Sequence, residues 1–339
     1  MKPYEEKAKR NVEHARRWLN RAIKDFTLFK KLLPFDKRTN KPVRCSDPAL
    51  AVYLLQQSVE KAVKSAAIAS GQYKPRDFTS YFRHNSLALI IDLNSKIVSQ
   101  IQAIGLEPVA MMMGLDLADG GSKLAALESQ IMGSAPLLDK NGNKVDFRIE
   151  SRRIPPETID QILNMVIQHR KLLLDVIKTA FDILPTMGVR KGYGMTDNPQ
   201  EFLKQLSGSI SANLKVRPLS EEQLKVPLEF IKRTSELGFS PADELKRGDT
   251  IANHLGVWAF SNALLCLSYL TFAHEDTTRY PLGRKGNIQA GRIGCDDYDN
   301  ILGIVNRIGR IGYITNLTLN DMRREIDSFA LFFAVTQDR

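Results

Sequence analysis

Ala51-Val-Tyr-Leu-Leu-Gln-Gln-Ser-Val-Glu-Lys-Ala-Val-Lys-Ser-Ala-Ala-Ile-Ala-Ser-Gly71 is a helix by its spacing. Leu54, Leu55, Val59, Val63 and Ala66 recur at three and four residues, which puts them on one face. Ser46 or Asp47 supplies a cap, Pro48 suits the first turn, and Gly71 marks the end. Upstream, Ala15, Trp18, Leu19, Ala22, Phe26, Phe29 and Leu33 repeat the pattern, and Pro34 stops it. Downstream, residues 72 to 86 read as a polar, aromatic-rich connection. A third helix begins near Asn85 or Ser86 and runs through Leu89, Ile90, Leu93 and Ile97 towards Ile104.

The middle of the chain changes character. Residues 105 to 150 carry Gly114, Gly120, Gly121, Gly133 and the run Met111 to Met113, which suits core filling. Asn141-Gly142, between Leu137-Leu138 and Val145 and Phe147, predicts a small hairpin over 137–149. Pro155 and Pro156 open a helix that carries Ile159, Ile162, Leu163, Val166, Ile167 and Leu173 and closes before Pro185. Residues 186 to 245 read as short helices and loops. Asp249 or Thr250 caps a helix to about Phe272, and 274 to 298 is an irregular loop. Two more helices are expected, Tyr298 to Ile314 and Asn320 to Phe333, with Asn320 as the cap of the second. The fold class is therefore all-α.

Charge narrows the function. The chain of 339 residues carries a net +10, and residues 1 to 44 hold 14 Lys and Arg against 5 Asp and Glu. Such a surplus suits a polyanion, RNA, DNA or nucleotide phosphate, or else a solvated helix face with a basic loop. The loop runs from Asp36 to Arg44 and includes Lys37 and Arg38. Three cysteines, Cys45, Cys266 and Cys295, form no CxxC pair, which argues against zinc and a disulfide framework and suits a reducing, cytoplasmic setting. Met1 to Arg10 lacks the apolar core of a signal peptide. Val257 to Ala273 is interrupted by Ser261, Asn262 and Ser268 and reads as a buried helix, so no membrane span is expected.

Gln56-Gln57, Glu60-Lys61 and Lys64 on the second helix resemble the second helix of the HEPN family, a family of helical bundles. The first helix, with Trp18, Ala22 and Asp25-Phe26, is similar to that family's first. Phe82-Arg83-His84-Asn85 stands where the family often has a His before its third helix. His274, Glu275 and Arg279-Tyr280-Pro281 resemble the segment after its last core helix. The resemblance covers about residues 10 to 104 and 247 to 285. It implies one HEPN-like antiparallel bundle built from 1–104 and 247–339, the latter with C-terminal helices, and interrupted by a mostly helical insertion, 105–246. That spacing departs from the family, whose third and fourth helices are close in sequence. Surface loops tolerate insertions because closure entropy grows slowly with length.

Many members are metal-independent ribonucleases that use an Arg and a His with four to six residues between them. Among the five histidines only His254 has such an Arg, Arg247, with six residues between. Two helical turns separate them, so both side chains can share a face. Imidazole moves protons near neutral pH, and guanidinium clamps phosphate through paired hydrogen bonds. Gly248 departs from the polar residue usual after that Arg, and Asp249 comes one place late. The competing reading makes His254 a satisfied core histidine. Arg83 and His84 either bind phosphate or cap the third helix; Arg279 and Tyr280 either line a nucleotide pocket or fix a turn. Glu60 and Lys61 are expected in interhelical or solvent contacts. Arg190 to Gly194 lacks P-loop spacing, and Asp296, Asp297 and Asp299 suit a helix cap better than a cation. The resemblance implies no cofactor, a homodimer with a composite cleft, and an antitoxin or defence-system partner. The alternative function is a non-catalytic nucleotide- or partner-binding scaffold.

Overall fold

Every element described is helical, so the chain is all-α. The computed structural model describes residues 3–33, 48–74, 77–80, 82, 86–103, 157–168, 170–171, 199–214, 220–222, 225, 249–272 and 302–337. The helices are α1 (Pro3–Leu32), α2 (Pro48–Ala69), the single turn α3 (Asp77–Ser80), α4 (Ser86–Ala103), α5 (157–168), α6 (Pro199–Leu214), α7 (Asp249–Phe272) and α8 (Leu302–Gln337). None is long and apolar enough to cross a membrane. The hairpin expected over 137–149, the run Met111 to Met113 and the Asp296 cluster lie outside the described residues.

The chain divides into two compact units, 1–93 with 131–167 and 260–339, and 94–130 with 168–259. The described part of the second is helical, with α6 at its centre in sequence and an exposed Lys204–Glu221 pair at 2.8 Å.

In the first unit α1, α2 and α8 pack pairwise against one another. α1 buries Ala8, Val12, Ala15, Leu19, Ala22, Phe26, Phe29 and Leu33, a three-and-four stripe. Small residues let α2 come close. Ser65 Oγ donates to the Ala15 carbonyl at 2.8 Å and Ser58 Oγ to the Ala22 carbonyl at 2.9 Å. One partner rises in number as the other falls, so α1 and α2 run antiparallel. The pair closes where α2 ends. Gly71 adopts φ +68°, and its N–H donates to the Ile68 carbonyl at 3.0 Å. A Cβ there would stand 2.5 Å from Asn11 Nδ2, so the position needs glycine for space as well as for its left-handed backbone.

The connection after α2 is more ordered than a polar loop. Lys74 N–H donates to Asp77 Oδ2 at 2.6 Å, which fixes the entry to α3. Tyr73 donates to Asp92 Oδ2 at 2.7 Å and meets Phe82 edge-on at 5.8 Å between centroids. Burial, and then that hydrogen bond, push the Tyr73 phenol far above its ordinary range.

α8 corrects the sequence reading. Where two helices meeting at Asn320 are expected, one helix runs from Leu302 to Gln337. Asn320 is an exposed residue in its interior. Thr315 and Thr318 are buried, and their hydroxyls donate back to the Ile311 and Ile314 carbonyls, each at 2.9 Å. With both hydroxyls satisfied, the core stripe continues unbroken through Ile308, Ile311, Thr315, Thr318, Met322, Ile326, Phe329 and Phe333. Phe329 lies 5.1 Å from both Phe260 of α7 and Phe333, measured between ring centroids. From Phe260 to Thr271 every residue of α7 is buried except the half-buried Tyr269, as expected for a helix apolar on all sides.

Asp160 holds α5 to α8. It accepts from Arg307 at 2.5 Å and from Arg310 at 3.3 Å. The Arg307 hydrogen bond, opposed by desolvation and helped by both guanidinium charges, holds the Asp160 carboxyl below its usual range. A depressed folded pKa gives stability that is present above the ordinary carboxylate pKa of about 3.9 and lost as pH falls through the depressed value. The Asp160 side chain is 36% exposed, so solvent screening keeps the contribution under about 1 kcal/mol. Asp160→Asn is therefore expected to lower the urea midpoint slightly at pH 7. The gap from the parent should shrink below about pH 4. A gap that stays constant with pH would show that the carboxylate charge plays no part.

Candidate functional site

The residues singled out from the sequence fall mostly outside the described part of the chain. Arg247, Arg83, His84, Arg279, Tyr280, Lys37 and Arg38 all lie there. His254 lies in the backbone of α7, and its side chain is outside the described set. Among the described residues no group of His, Cys, Asp or Glu is placed to hold a metal ion.

What the structure does bring together is the outer surface of α1. Its nine cations from Lys7 to Lys31 are all exposed. Among its described side chains only Glu6 and Glu13 expose a carboxylate. Arg10, Arg17, Arg21, Lys24 and Lys31 are spaced by seven, four, three and seven residues, which sets them on one stripe. That stripe faces away from the Ala8-to-Leu33 core and is about 30 Å long at about 1.5 Å per residue. No carboxylate pairs with any of these five among the described residues. Cations nearer the packing interfaces are treated differently: Arg16 pairs with Asp327 of α8 at 2.6 Å, and Lys61 of α2 pairs with Asp25. The Asp25–Lys61 pair is the interhelical contact expected for Lys61. It also removes the one acidic residue between Arg17 and Lys31 from the outer field.

Trp18 sits at the edge of this stripe. Its spacing reads as core, yet the residue is half-buried, unlike the other six of its set. The Arg21 guanidinium stands 5.5 Å from the ring centroid and the Lys64 ammonium 5.4 Å. Phe78 of α3 meets the ring at 61° with centroids 6.4 Å apart. A cation over an indole face is attracted to its π cloud.

Behind Trp18 lies a buried ionic cluster. Lys64 Nζ donates to Glu60 Oε1 at 2.6 Å, with side chains only 7% and 4% exposed. Gln57 Nε2 donates to Glu60 Oε2 at 3.1 Å and to Gln56 Oε1 at 2.8 Å. Gln56 Nε2 reaches Glu60 Oε2 at 3.4 Å. Both carboxylate oxygens are thereby engaged, the condition under which a buried charge pair is tolerable. Glu60 thus makes neither a solvent nor an interhelical pair in this cluster, but an ion pair one turn along its own helix. The Gln56-Gln57, Glu60 and Lys64 pattern is in this fold the support of Trp18. The sequence signal for it was an unusual density of polar residues on a helix with apolar neighbours on both sides.

No family model, no curated protein and no solved structure matches this chain.

Proposed function

We propose that this chain is a cytoplasmic RNA-binding protein of the HEPN-like kind. In this reading it is a homodimeric, metal-independent endoribonuclease of a toxin–antitoxin or antiviral defence system. The observation that carries the binding half is the row of five exposed cations on α1 with no carboxylate partner among the described residues. A face meant only for solvent gains nothing from leaving them unneutralised, whereas a phosphate backbone exchanges its condensed counterions for them. The catalytic half rests on the Arg247–His254 spacing and on the resemblance. His254 would take the proton of a ribose 2′-hydroxyl, and Arg247 would hold the adjacent phosphate as charge develops on it.

Two measurements test the two halves. For a single strand, binding to five cations gives a salt slope of about −3.5, or about 100-fold weaker binding at about 200 mM than at about 50 mM salt. Affinity that ignores salt removes the binding half. Labelled single-stranded RNA is then incubated with excess chelator and either the parent or His254→Ala. Cleavage by the parent and none by the variant is expected. Equal cleavage by both removes His254 from the chemistry, and binding without cleavage by either leaves a non-catalytic RNA-binding scaffold.

A further inference from the structure

The cationic face of α1 has an aromatic residue set into it, and that bears on which nucleic acid it takes. A row of charges alone serves duplex and single strand alike, because both present phosphates. An accessible aromatic ring discriminates. Unpaired bases stack on it, while paired bases are already stacked within their own helix.

Trp18 meets the requirements of such a platform. It is half-buried rather than enclosed, and its neighbours along that face, His14 and Arg21, are both exposed. Its mounting is rigid: Phe78 abuts the ring, and the Lys64 ammonium near it is anchored by the buried Glu60. Arg21 differs from Lys64. It is exposed and has no carboxylate partner among the described residues, so nothing there holds its guanidinium at the indole except the ring itself. That guanidinium is a planar, positively charged group standing over the ring 5.5 Å from its centroid, and it can swing to a phosphate once a base arrives.

We propose that α1 takes single-stranded RNA in preference to duplex, with one unpaired base stacked on the Trp18 indole in the place Arg21 occupies in the free protein. The inference rests on the RNA-binding reading above and adds the residue that selects an unpaired base over a paired one.

The chain has two tryptophans, Trp18 and Trp258, so Trp258→Phe leaves Trp18 as the sole indole reporter. In that background the protein is titrated with a 12-nucleotide oligouridine and with a 12-base-pair RNA duplex. The single strand is expected to quench Trp18 emission and the duplex to bind without quenching. Trp18→Leu in the otherwise unchanged full-length chain should weaken oligouridine binding about tenfold and leave duplex binding unchanged. Trp18→Phe keeps an aromatic face and should retain most of the affinity, which separates loss of stacking from loss of packing against Phe78. Oligouridine binding with no quenching, and with Trp18→Leu as tight as the parent, overturns the stacking platform while leaving the cationic face intact. Failure of both RNAs to bind overturns the RNA-binding reading itself and this inference with it.

Discussion

Lys64→Met is expected to destabilise the fold by about 3–5 kcal/mol, the usual consequence of stranding one partner of a buried ion pair. Glu60, its side chain only 4% exposed, would lose its counter-ion and keep two amides as its remaining donors from the cluster. Loss of the ammonium from beside the Trp18 ring adds about 0.5–1 kcal/mol. The double variant Glu60→Gln with Lys64→Met should recover most of this, to within about 1–2 kcal/mol of the parent, because the neutral amide still accepts from Gln56 and Gln57. Urea unfolding of the parent, both single variants and the double variant measures the coupling directly. A Lys64→Met cost under about 1 kcal/mol would mean that water reaches the pair and that the cluster is not the rigid mount assigned to it.

The same cluster shows what the sequence can and cannot convey. The helical spacing of α1, the first-turn Pro48 and the terminal Gly71 follow from local stereochemistry, and so they are legible residue by residue. α8 departs from the two helices its sequence suggests because hydroxyl-bearing residues fill positions of an apolar stripe. Thr315 and Thr318 satisfy themselves within their own helix and then pack as if apolar, so a run of polar letters conceals a continuous core face. The Ser58–Ala22 and Ser65–Ala15 contacts join residues 36 and 50 positions apart, and nothing local announces them.

For the site, the legible part was gross charge. Net excess over residues 1 to 44 is visible in the letters, but which cations are neutralised is a tertiary fact. Arg16 and Arg17 are adjacent and chemically identical, yet only Arg16 meets a carboxylate, from Asp327, among the described residues. Trp18 fits the apolar repeat and looks like core. Its half-exposure follows from α3 and Lys64 meeting the ring rather than enclosing it. The density of polar residues around Glu60 is visible in the letters, but its burial is not, because a Glu four residues before a Lys on a helix is usually a solvated pair.

The cation stripe makes the second large prediction. Arg17→Gln, Lys24→Gln and Lys31→Gln combined remove three of its five charges, all exposed and without carboxylate partners among the described residues, and leave Arg21 at Trp18 untouched. Each released contact contributes about −0.7 to the salt slope for a single strand, so the slope should fall from about −3.5 to about −1.4. Extrapolated from about 1 M salt, where the ionic contribution vanishes, this amounts to roughly 500-fold weaker binding at about 50 mM and roughly 50-fold at about 150 mM. The urea midpoint should hardly move, since exposed side chains without partners contribute within about 0.5 kcal/mol to the fold. The distinguishing feature is the dependence on salt: the deficit must shrink as salt rises and close near about 1 M. A deficit of the same size at every salt concentration would mean that the three side chains act through shape or packing. Parent-like binding throughout would place the RNA path off α1, and the unpaired cations would then be an ordinary solvated face.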